Sequence, residues 1–373
     1  MAKKQRPRSG GVEMAVVDLQ STINKQGRNW QAGPTSISAL PQEEVISRLG
    51  LQVNEAERKA TEKLIAAANS LEAVRAAAIA VPAAVDWRSN GGNFVTPIRD
   101  QLSCGSCVSF GTLATIEARV NIACRTPGGA RDYSEAFLFY CGCGRCCGSG
   151  WNFVPALDFC KNQGVAAESS FPYTPGDQPC KSGVTPLFKI SGHSSVLSMS
   201  DRKAAIAERG PVVAGMNVWR DFKSYSSGVY HHVTGEHLGY HAVSVVGYDD
   251  AQRCWICKNS WGPGWGESGF FRMSYDDADS EMSTSFAFYE PQVQCPSPQP
   301  TPVDDCKQYV AHLRRVIIAA RGNSRLRVCL RYYVCGRGRR PFCPASHMAV
   351  VRIVQTILQR CPQYRAPFCV AIG

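Results

Sequence analysis

The segment QLSCGSCVSFG, residues 101–111, places two thiols three residues apart between small residues and an aromatic residue. Three kinds of chemistry use such a pair: a redox-active disulfide, half of a metal site, or a structural bridge beside a nucleophilic cysteine. A CxxC redox pair is expected within a thioredoxin-like βαβ pattern, which is absent from the surrounding sequence. The choice between the other two depends on residues elsewhere in the chain.

A nucleophilic thiol needs a base, a group that orients the base, and hydrogen-bond donors for the oxyanion. Cys107 directly precedes an expected helix over residues 108–123, and a helix N-terminus favours the thiolate. His241 opens the strand-like segment HAVSVVGY, and Asn259 follows in KNSWGPGWG. An amide oxygen that binds one imidazole nitrogen leaves the other nitrogen to face the thiol. Cys107, His241 and Asn259 are therefore candidates for one thiol-based catalytic site.

These residues and motifs resemble the papain-like cysteine peptidases, the cathepsin family. His241 and Asn259 follow Cys107 by 134 and 152 residues, which agrees with the family spacing of about 130–150 residues. The segments VPAAVDWRS, FPYTP and GPVVAGMNV also match, and the resemblance covers about residues 81–290. It implies an α+β fold with two lobes, a helical left lobe followed by a β-barrel-like right lobe.

The resemblance also implies roles for individual residues. Cys107 would be the nucleophile, His241 its base, and Asn259 the group that orients the imidazole. Gln101 would stabilise the oxyanion together with the Cys107 backbone N–H. Residues implied to contact substrate or to support the site are Gly150, Trp261, Gly215 and Tyr240. The implied reaction is hydrolysis of peptide bonds through a Cys107 thioester, with neither a cofactor nor a metal.

The segment CGCGRCC, residues 141–147, has four cysteines and suits either zinc ligation or disulfides. The resemblance implies the bridges Cys104–Cys147 and Cys141–Cys180, and these favour disulfides over metal. Cysteines without an implied partner include Cys143, Cys146, Cys254 and Cys257. The last two lie three apart in a strand-like run and point to opposite faces, so core thiols are expected there.

The sequence departs from the family pattern near the nucleophile. Val108 stands where the family usually has Trp, and Leu102 stands where it usually has Gly. Neither change removes a reacting group, but both alter the wall of the cleft. Gly215 lies where an apolar residue of the S2 pocket is expected, so a wide S2 pocket is predicted. The preferred P2 side chain is not predicted.

The chain divides into four regions: a propeptide-like segment (1–80), the peptidase-like region (81–290), a Pro-rich linker (291–305) and a basic six-Cys domain (306–373). The first region is expected to be unstructured up to Asn54. Asn54 and Glu57 then predict the start of a helix of about 20 residues that ends at Val81-Pro82. By resemblance, this segment is an intramolecular inhibitor of a zymogen, although it lacks the long cathepsin L-type pattern.

Residues 305–373 hold 12 Arg and 1 Lys against a single Asp, so the positive charge belongs to this region. Its six cysteines predict three bridges. YVAHLRRVIIAAR predicts one helix, and an apolar stripe predicts another: Val350, Ile353, Val354, Ile357 and Leu358. This domain is expected either to bind an anionic surface or polymer, or to be a packed, disulfide-linked accessory domain whose arginines only keep its surface hydrated. A cleavable inhibitory appendage is a third interpretation.

Eighteen cysteines predict an oxidising compartment, extracellular or lysosome-like. The first residues, MAKKQRPRSGG, lack the apolar run of a secretory signal, and no segment has the length of a transmembrane helix. Two functions of different classes fit: an endopeptidase acting on polypeptides, and a non-catalytic binding protein on the same scaffold. Joint retention of the four candidate catalytic residues favours the endopeptidase. Acyl transfer to another acceptor, as in a transglutaminase, uses the same thioester and ranks below both.

Overall fold

The structure, a computed structural model, describes residues 9–74, 81–129, 131–296, 302–336, 341–360 and 365–372. The chain forms two compact units, Met1–Pro296 and Ser297–Gly373. The helices of the first unit are α1 (Ser9–Lys25), α2 (Gln42–Ile46), α3 (Glu55–Val74), α4 (Cys107–Ala123), α5 (Glu135–Gly142), α6 (Phe153–Asn162) and α7 (Met199–Arg209). Short 3-10 helices span Glu168–Ser170 and Arg220–Ser224.

The strands of the first unit are β1 (Gln31–Ala32), β2 (Ala84–Asp86), β3 (Gly192–Val196), β4 (Val212–Trp219), β5 (Tyr225–Ser227), β6 (Val229–Tyr230), β7 (His237–Asp249), β8 (Cys254–Lys258), β9 (Phe270–Ser274) and β10 (Phe288–Gln292). The main sheet has the order β3-β10-β4-β7-β8-β9-β6, with β2 paired to β7. β1 pairs separately with β5. The predicted α+β fold, a helical lobe followed by a β lobe, is confirmed.

The helix α4 forms the centre of the helical lobe. It is buried over most of its length, and one apolar cluster joins it to α5 and α6. It also lies against the sheet, where Thr115 Oγ1 donates to Ser244 Oγ of β7 at 2.8 Å. Because α4 begins at Cys107 and β7 carries His241, this packing brings the two candidate residues to the junction of the lobes.

The expectation that the chain before Asn54 is unstructured is wrong. α1 covers Ser9–Lys25, and Ile23 and Trp30 are fully buried against the peptidase-like region. The Trp30 ring lies 5.2 Å from that of Tyr230, and β1 pairs with β5. The polar composition of this region does not predict these elements, because their few apolar side chains pack against residues that are distant in the sequence.

The helix predicted from Asn54 is present as α3. Asn54 Oδ1 accepts from the backbone N–H groups of Ala56 at 3.0 Å and Glu57 at 3.3 Å, which satisfies two donors at the helix start. The predicted end at Val81-Pro82 follows residues 75–80, which lie outside the described residues. The capping residues therefore predict the start of this helix correctly.

The predicted Pro-rich linker, residues 291–305, differs from the structure at both ends, since residues 302–305 already belong to a helix. Residues 291 and 292 belong to β10, where Gln292 is in register with Gly192 of β3. Cys295 forms a disulfide with Cys124 at the end of α4. Strand pairing and this bridge hold the chain to the first unit as far as the boundary at Pro296.

The second unit is helical: α8 (Pro302–Gly322), α9 (Ser324–Tyr333), α10 (Ala345–Arg360) and α11 (Arg365–Ile372). The bridges Cys329–Cys343 and Cys335–Cys369 link these helices, while Cys361 lies outside the described residues. Both predicted helices are present. Ile353, predicted to lie in the apolar stripe, is instead exposed, and Val351 is buried, because the helix turns Val351 and Val354 to the same side.

Candidate active site

Cys107 lies at the first position of α4, at the end of a loop held by a disulfide. The bridge Cys104–Cys147 joins this loop to the end of CGCGRCC, and the Gly105 N–H donates to the Cys147 carbonyl at 2.9 Å. Gln101 is fully buried beside it, and its Nε2 donates to the Cys104 carbonyl at 2.8 Å. The loop therefore presents the thiol and the Gln101 amide from one cross-linked piece of backbone.

His241 and Asn259 are brought together by neighbouring strands. β7 carries His241, and Asn259 directly follows β8, which pairs with β7 in antiparallel register. His241 Nε2 lies 2.8 Å from Asn259 Oδ1. His241 Nδ1 is buried without a hydrogen-bond partner among the described residues. The amide thus engages one imidazole nitrogen and leaves the other unpaired.

The thiol lies beside the strand of the imidazole. Among the hydrogen bonds that favour the Cys107 thiolate is one from the backbone of Ala242, the residue after His241. The ring of Trp261 packs on the imidazole at a centroid distance of 5.0 Å and is fully buried. The structure therefore brings Cys107, His241, Asn259 and Trp261 to one place, with Gln101 next to the thiol.

Burial governs the charge state of this pair. Burial raises the pKa of the Cys107 thiol to about 11, against weaker opposing hydrogen bonds from backbone N–H groups. It lowers the pKa of His241 to about 4, and the positive charge of Arg48 acts in the same direction. In the closed site, burial therefore disfavours the charged forms of both groups.

Residues 48–52 of the N-terminal segment cover the site. Gln101 Nε2 donates to the carbonyl of Arg48 at 2.8 Å, and the Gly50 N–H donates to Cys107 Sγ at 3.3 Å. The Leu51 N–H donates to the Tyr240 carbonyl at 3.2 Å. The backbone of the N-terminal segment thus occupies the hydrogen-bonding groups around the thiol.

The same segment pairs with Trp151, which directly follows the Gly-Ser-Gly turn of residues 148–150. The Trp151 N–H donates to the Gly50 carbonyl at 2.7 Å, and the Gln52 N–H donates to the Trp151 carbonyl at 2.9 Å. Gly150 has φ +74°, and a Cβ there would lie 2.0 Å from the Gly50 carbonyl oxygen. Only glycine allows this approach, so Gly150 is where a peptide backbone comes closest to this wall of the cleft.

Leu51 occupies the pocket at Gly215. A Cβ on Gly215 would lie 2.6 Å from Leu51 Cδ2 and 2.6 Å from the ring of Phe286. The missing side chain makes room for the leucine. Phe286, which closes the pocket, was not among the predicted site residues, because nothing near it in the sequence marks it as such.

An ion pair beside the thiol loop was also missed by the sequence analysis. Arg48 Nη1 lies 2.7 Å from Asp100 Oδ1, and the Arg48 side chain is 5% exposed. Asp100 Oδ1 also accepts from the Leu102 N–H at 2.9 Å. Leu102, one of the departures from the family pattern, has φ +53° in the left-handed region that favours glycine. The second departure, Val108, is fully buried within α4.

A buried polar cluster includes Lys258, the residue that precedes Asn259. Lys258 Nζ donates to Thr96 Oγ1 at 2.9 Å, and Thr96 Oγ1 donates to Glu117 Oε2 of α4. Burial raises the pKa of Glu117 and lowers that of Lys258, while their opposite charges counter both shifts. The cluster links α4 to the end of β8 and so fixes the two lobes near the thiol and the amide.

The cysteines of CGCGRCC are in disulfides. The structure contains Cys104–Cys147, Cys141–Cys180 and Cys143–Cys146, whereas Cys254 and Cys257 are buried free thiols. No group of three metal-binding side chains occurs among the described residues. Within the same residues, no helix has the length and hydropathy needed to cross a bilayer.

The comparison with solved structures agrees with this architecture. The recombinant stem bromelain precursor is 26% identical, with a TM-score of 0.56, and the alignment covers 79% of this chain and 94% of that one. Digestive procathepsin L 3 of Tenebrio molitor shares the fold at 24% identity, with a TM-score of 0.59 and coverage of 76% and 90%. The aligned share exceeds the region 81–289, so the likeness to these proforms extends outside it.

Sequence relatives match the peptidase-like region. Cysteine proteinase 2 of Entamoeba histolytica is 37% identical over 209 residues, which cover 52% of this chain and 64% of the relative. The cathepsin L-like proteinase of Fasciola hepatica is 37% identical over 208 residues, covering 52% and 61%. The chain thus spans less than two thirds of these relatives. Residues 81–289, more than half of the chain, match the family described as papain family cysteine protease, and the chain belongs to that family.

Proposed function

We propose that this protein is a cysteine endopeptidase made as a zymogen. The observation that carries the proposal is the 2.8 Å contact of His241 with Asn259, which leaves one imidazole nitrogen unpaired on the residue before Ala242, whose backbone bonds to the Cys107 thiol. A thiol at a helix N-terminus next to an oriented imidazole is the arrangement needed for nucleophilic attack.

In the proposed reaction, His241 takes the thiol proton and the Cys107 sulfur attacks the carbonyl carbon of a peptide bond. The oxyanion is bound by the Gln101 amide and the Cys107 N–H. The C–N bond then breaks, and His241 gives its proton to the leaving amine, which leaves a thioester. Water, deprotonated by His241, attacks the thioester and releases the carboxylic acid and the thiol.

Three further residues have proposed supporting roles. Asn259 keeps the imidazole in the required tautomer and orientation, and Trp261 shields this contact from water. Trp261 is suited to this role because its ring packs on the imidazole. Tyr240 supplies a carbonyl for the substrate backbone, as it does for Leu51.

The N-terminal segment is the proposed inhibitor. Its backbone bonds to Gln101, Cys107 and Tyr240, so a polypeptide substrate cannot reach the same groups while segment 48–52 is in place. Leu51 shows that the pocket formed by Gly215 accepts a large aliphatic side chain. Gly150 is the proposed partner for the substrate backbone on the opposite wall.

The disulfides indicate an oxidising compartment. Within that class we propose an extracellular or lysosome-like location. We further propose that the basic second unit contacts an anionic surface or polymer, because residues 306–373 contain no Asp or Glu to balance their 12 Arg and 1 Lys.

The intact mass after incubation with the thiol-reactive epoxide E-64 tests the endopeptidase proposal. The full-length protein is compared before and after proteolytic removal of the N-terminal segment, with Cys107→Ala as the matched variant. We expect one adduct, formed mainly after removal and absent from Cys107→Ala. No adduct in either form, with the fold intact by circular dichroism, would identify a non-catalytic binding protein on this scaffold.

A further inference from the structure

The second unit combines an unbalanced positive charge with exposed aliphatic side chains. Between Cys306 and Gly373 the sequence has 12 Arg, 1 Lys and no acidic residue. Its arginines therefore have no carboxylate partner within this stretch of the chain. Side chains of this kind pair with water, with small anions or with an anionic surface.

The outer face of α8 places an aliphatic residue between arginines. Arg314, Ile318 and Arg321 recur at helical spacing and are exposed, with Ile318 67% exposed. The opposite face is buried in the core of the unit: Leu313, Val316 and Ala320. Packing within the unit therefore does not account for Ile318.

The helix α9 repeats the same arrangement. Arg325, Val328 and Arg331 lie on its exposed side, with Val328 44% exposed. Arg327, between them, is used internally, because its Nη2 donates to the Arg321 carbonyl at 3.2 Å. This bond ties the start of α9 to the end of α8, and both helices contribute to one apolar core.

Other exposed apolar residues of the unit are Phe342, Ile353 and Val370, and Ile353 again lies next to an exposed arginine, Arg352. A single exposed aliphatic residue on a soluble protein needs no explanation. The recurrence of an aliphatic residue beside arginines on α8, α9 and α10 is a pattern, and it combines the cationic and apolar groups with which proteins contact the interface of an anionic membrane.

We propose that the outer faces of α8 and α9 bind an anionic phospholipid bilayer. The guanidinium groups pair with lipid phosphates, while Ile318 and Val328 enter the boundary between headgroups and acyl chains. A nucleic acid or an acidic polysaccharide would use the arginines but would gain nothing from these two aliphatic residues. The inference deepens the proposed anionic contact of this unit and does not require peptidase activity.

The test is cosedimentation of the full-length protein, in the Cys107→Ala form to prevent self-cleavage, with vesicles. One vesicle preparation is phosphatidylcholine alone, and the other contains about a third phosphatidylglycerol. We expect binding to the anionic vesicles only, with Arg314→Gln/Arg321→Gln lowering the partition coefficient roughly 30-fold, at about fivefold for each arginine. Lys63→Gln/Lys161→Gln, which removes two exposed charges from the first unit, should have little effect.

Retention on heparin distinguishes the bilayer inference from the broader proposal that the second unit contacts an anionic surface or polymer. Ile318→Ser/Val328→Ser should lower vesicle binding roughly tenfold or more and leave heparin retention unchanged, whereas Leu64→Ser, at a site 57% exposed in the first unit, should change neither. Heparin retention without vesicle binding, or vesicle binding indifferent to Ile318→Ser/Val328→Ser, would overturn the bilayer inference alone. If the parent protein binds neither anionic vesicles nor heparin, the proposed contact with an anionic surface or polymer is itself wrong.

Discussion

The backbone N–H of Gly50 donates to Cys107 Sγ at 3.3 Å, so the N-terminal segment contacts the candidate nucleophile itself. The approach depends on a residue without a side chain, because a Cβ on Gly50 would lie 1.8 Å from the Gly105 carbonyl oxygen. Gly105 belongs to the loop held by the Cys104–Cys147 disulfide. Such a loop has little freedom to move away.

Gly50→Ala should therefore release the inhibitory segment. We expect the full-length variant to hydrolyse a peptide substrate at a rate close to that of protein lacking the segment, because the added methyl group cannot be accommodated against fixed backbone. Gly322→Ala is the matched control, since no atom lies within 4 Å of a Cβ at Gly322 and its backbone is not left-handed. Equal latency of the Gly50→Ala variant and the parent would show that the segment does not inhibit through this contact.

Arg48→Gln should also weaken inhibition by the N-terminal segment, but less than Gly50→Ala does. The substitution removes the charge that pairs with Asp100, which is 36% exposed and keeps part of its hydration. We expect roughly tenfold faster appearance of activity from the full-length protein, corresponding to about 1.4 kcal/mol. Asp100→Asn should give a similar effect, and the double variant should add little to either change. Full additivity would mean that the two residues act separately.

Acid should favour opening of the site. Burial lowers the pKa of His241 to about 4 in the closed form, whereas an exposed imidazole titrates near its ordinary value of about 6.5. The closed form then binds fewer protons between these values, so its stability is present above pH 6.5 and is lost as the pH falls toward 4. The loss is on the order of 3 kcal/mol.

The activation rate of the full-length protein should consequently rise as the pH is lowered through this window. It can be followed by E-64 labelling in short pulses, with the fold monitored in parallel by circular dichroism. The Gly50→Ala variant is the control, because its site is expected to be open at all these pH values. A labelling rate of the parent that is flat from pH 7 to pH 4 would contradict the link to His241.

Lys258→Met should destabilise the protein strongly. The substitution leaves the Glu117 carboxylate buried with Thr96 and the Tyr133 N–H as its partners and without its opposite charge. We expect a loss of about 3–5 kcal/mol in the free energy of unfolding, measured with urea on the Cys107→Ala protein. Adding Glu117→Gln should restore much of that loss. A change below about 1 kcal/mol would show that the Lys258 charge is dispensable for stability.

The sequence predicted the parts of the site that depend on local pattern. Cys107 at the start of a helix, His241 in a strand and Asn259 near Trp261 are marked by their immediate neighbours, although the strand begins at His237 and not at His241 as predicted. The Asn54 cap likewise predicted where α3 begins. In each case the deciding contacts involve residues close in the sequence or a spacing typical of the family.

What the sequence did not predict depends on contacts between distant residues. Trp30 is buried because Tyr225 and Tyr230 surround it, and a polar stretch with a single tryptophan does not reveal that. Phe286 closes the pocket of Leu51 from far along the chain. The exposure of Ile353 follows from the rotation of α10 within its unit, which periodicity alone places only to within one residue.

The Cys124–Cys295 bridge has a mechanical consequence. Tension applied to the second unit, as when a surface holds it, enters the first unit at Pro296, next to Cys295. A pull at this point cannot peel β10 from the sheet without drawing on the covalent link to α4. The force is therefore borne by the disulfide and by α4, the longest buried helix of the peptidase-like region. The strand hydrogen bonds carry less of it, and the first unit can stay folded while the second is held.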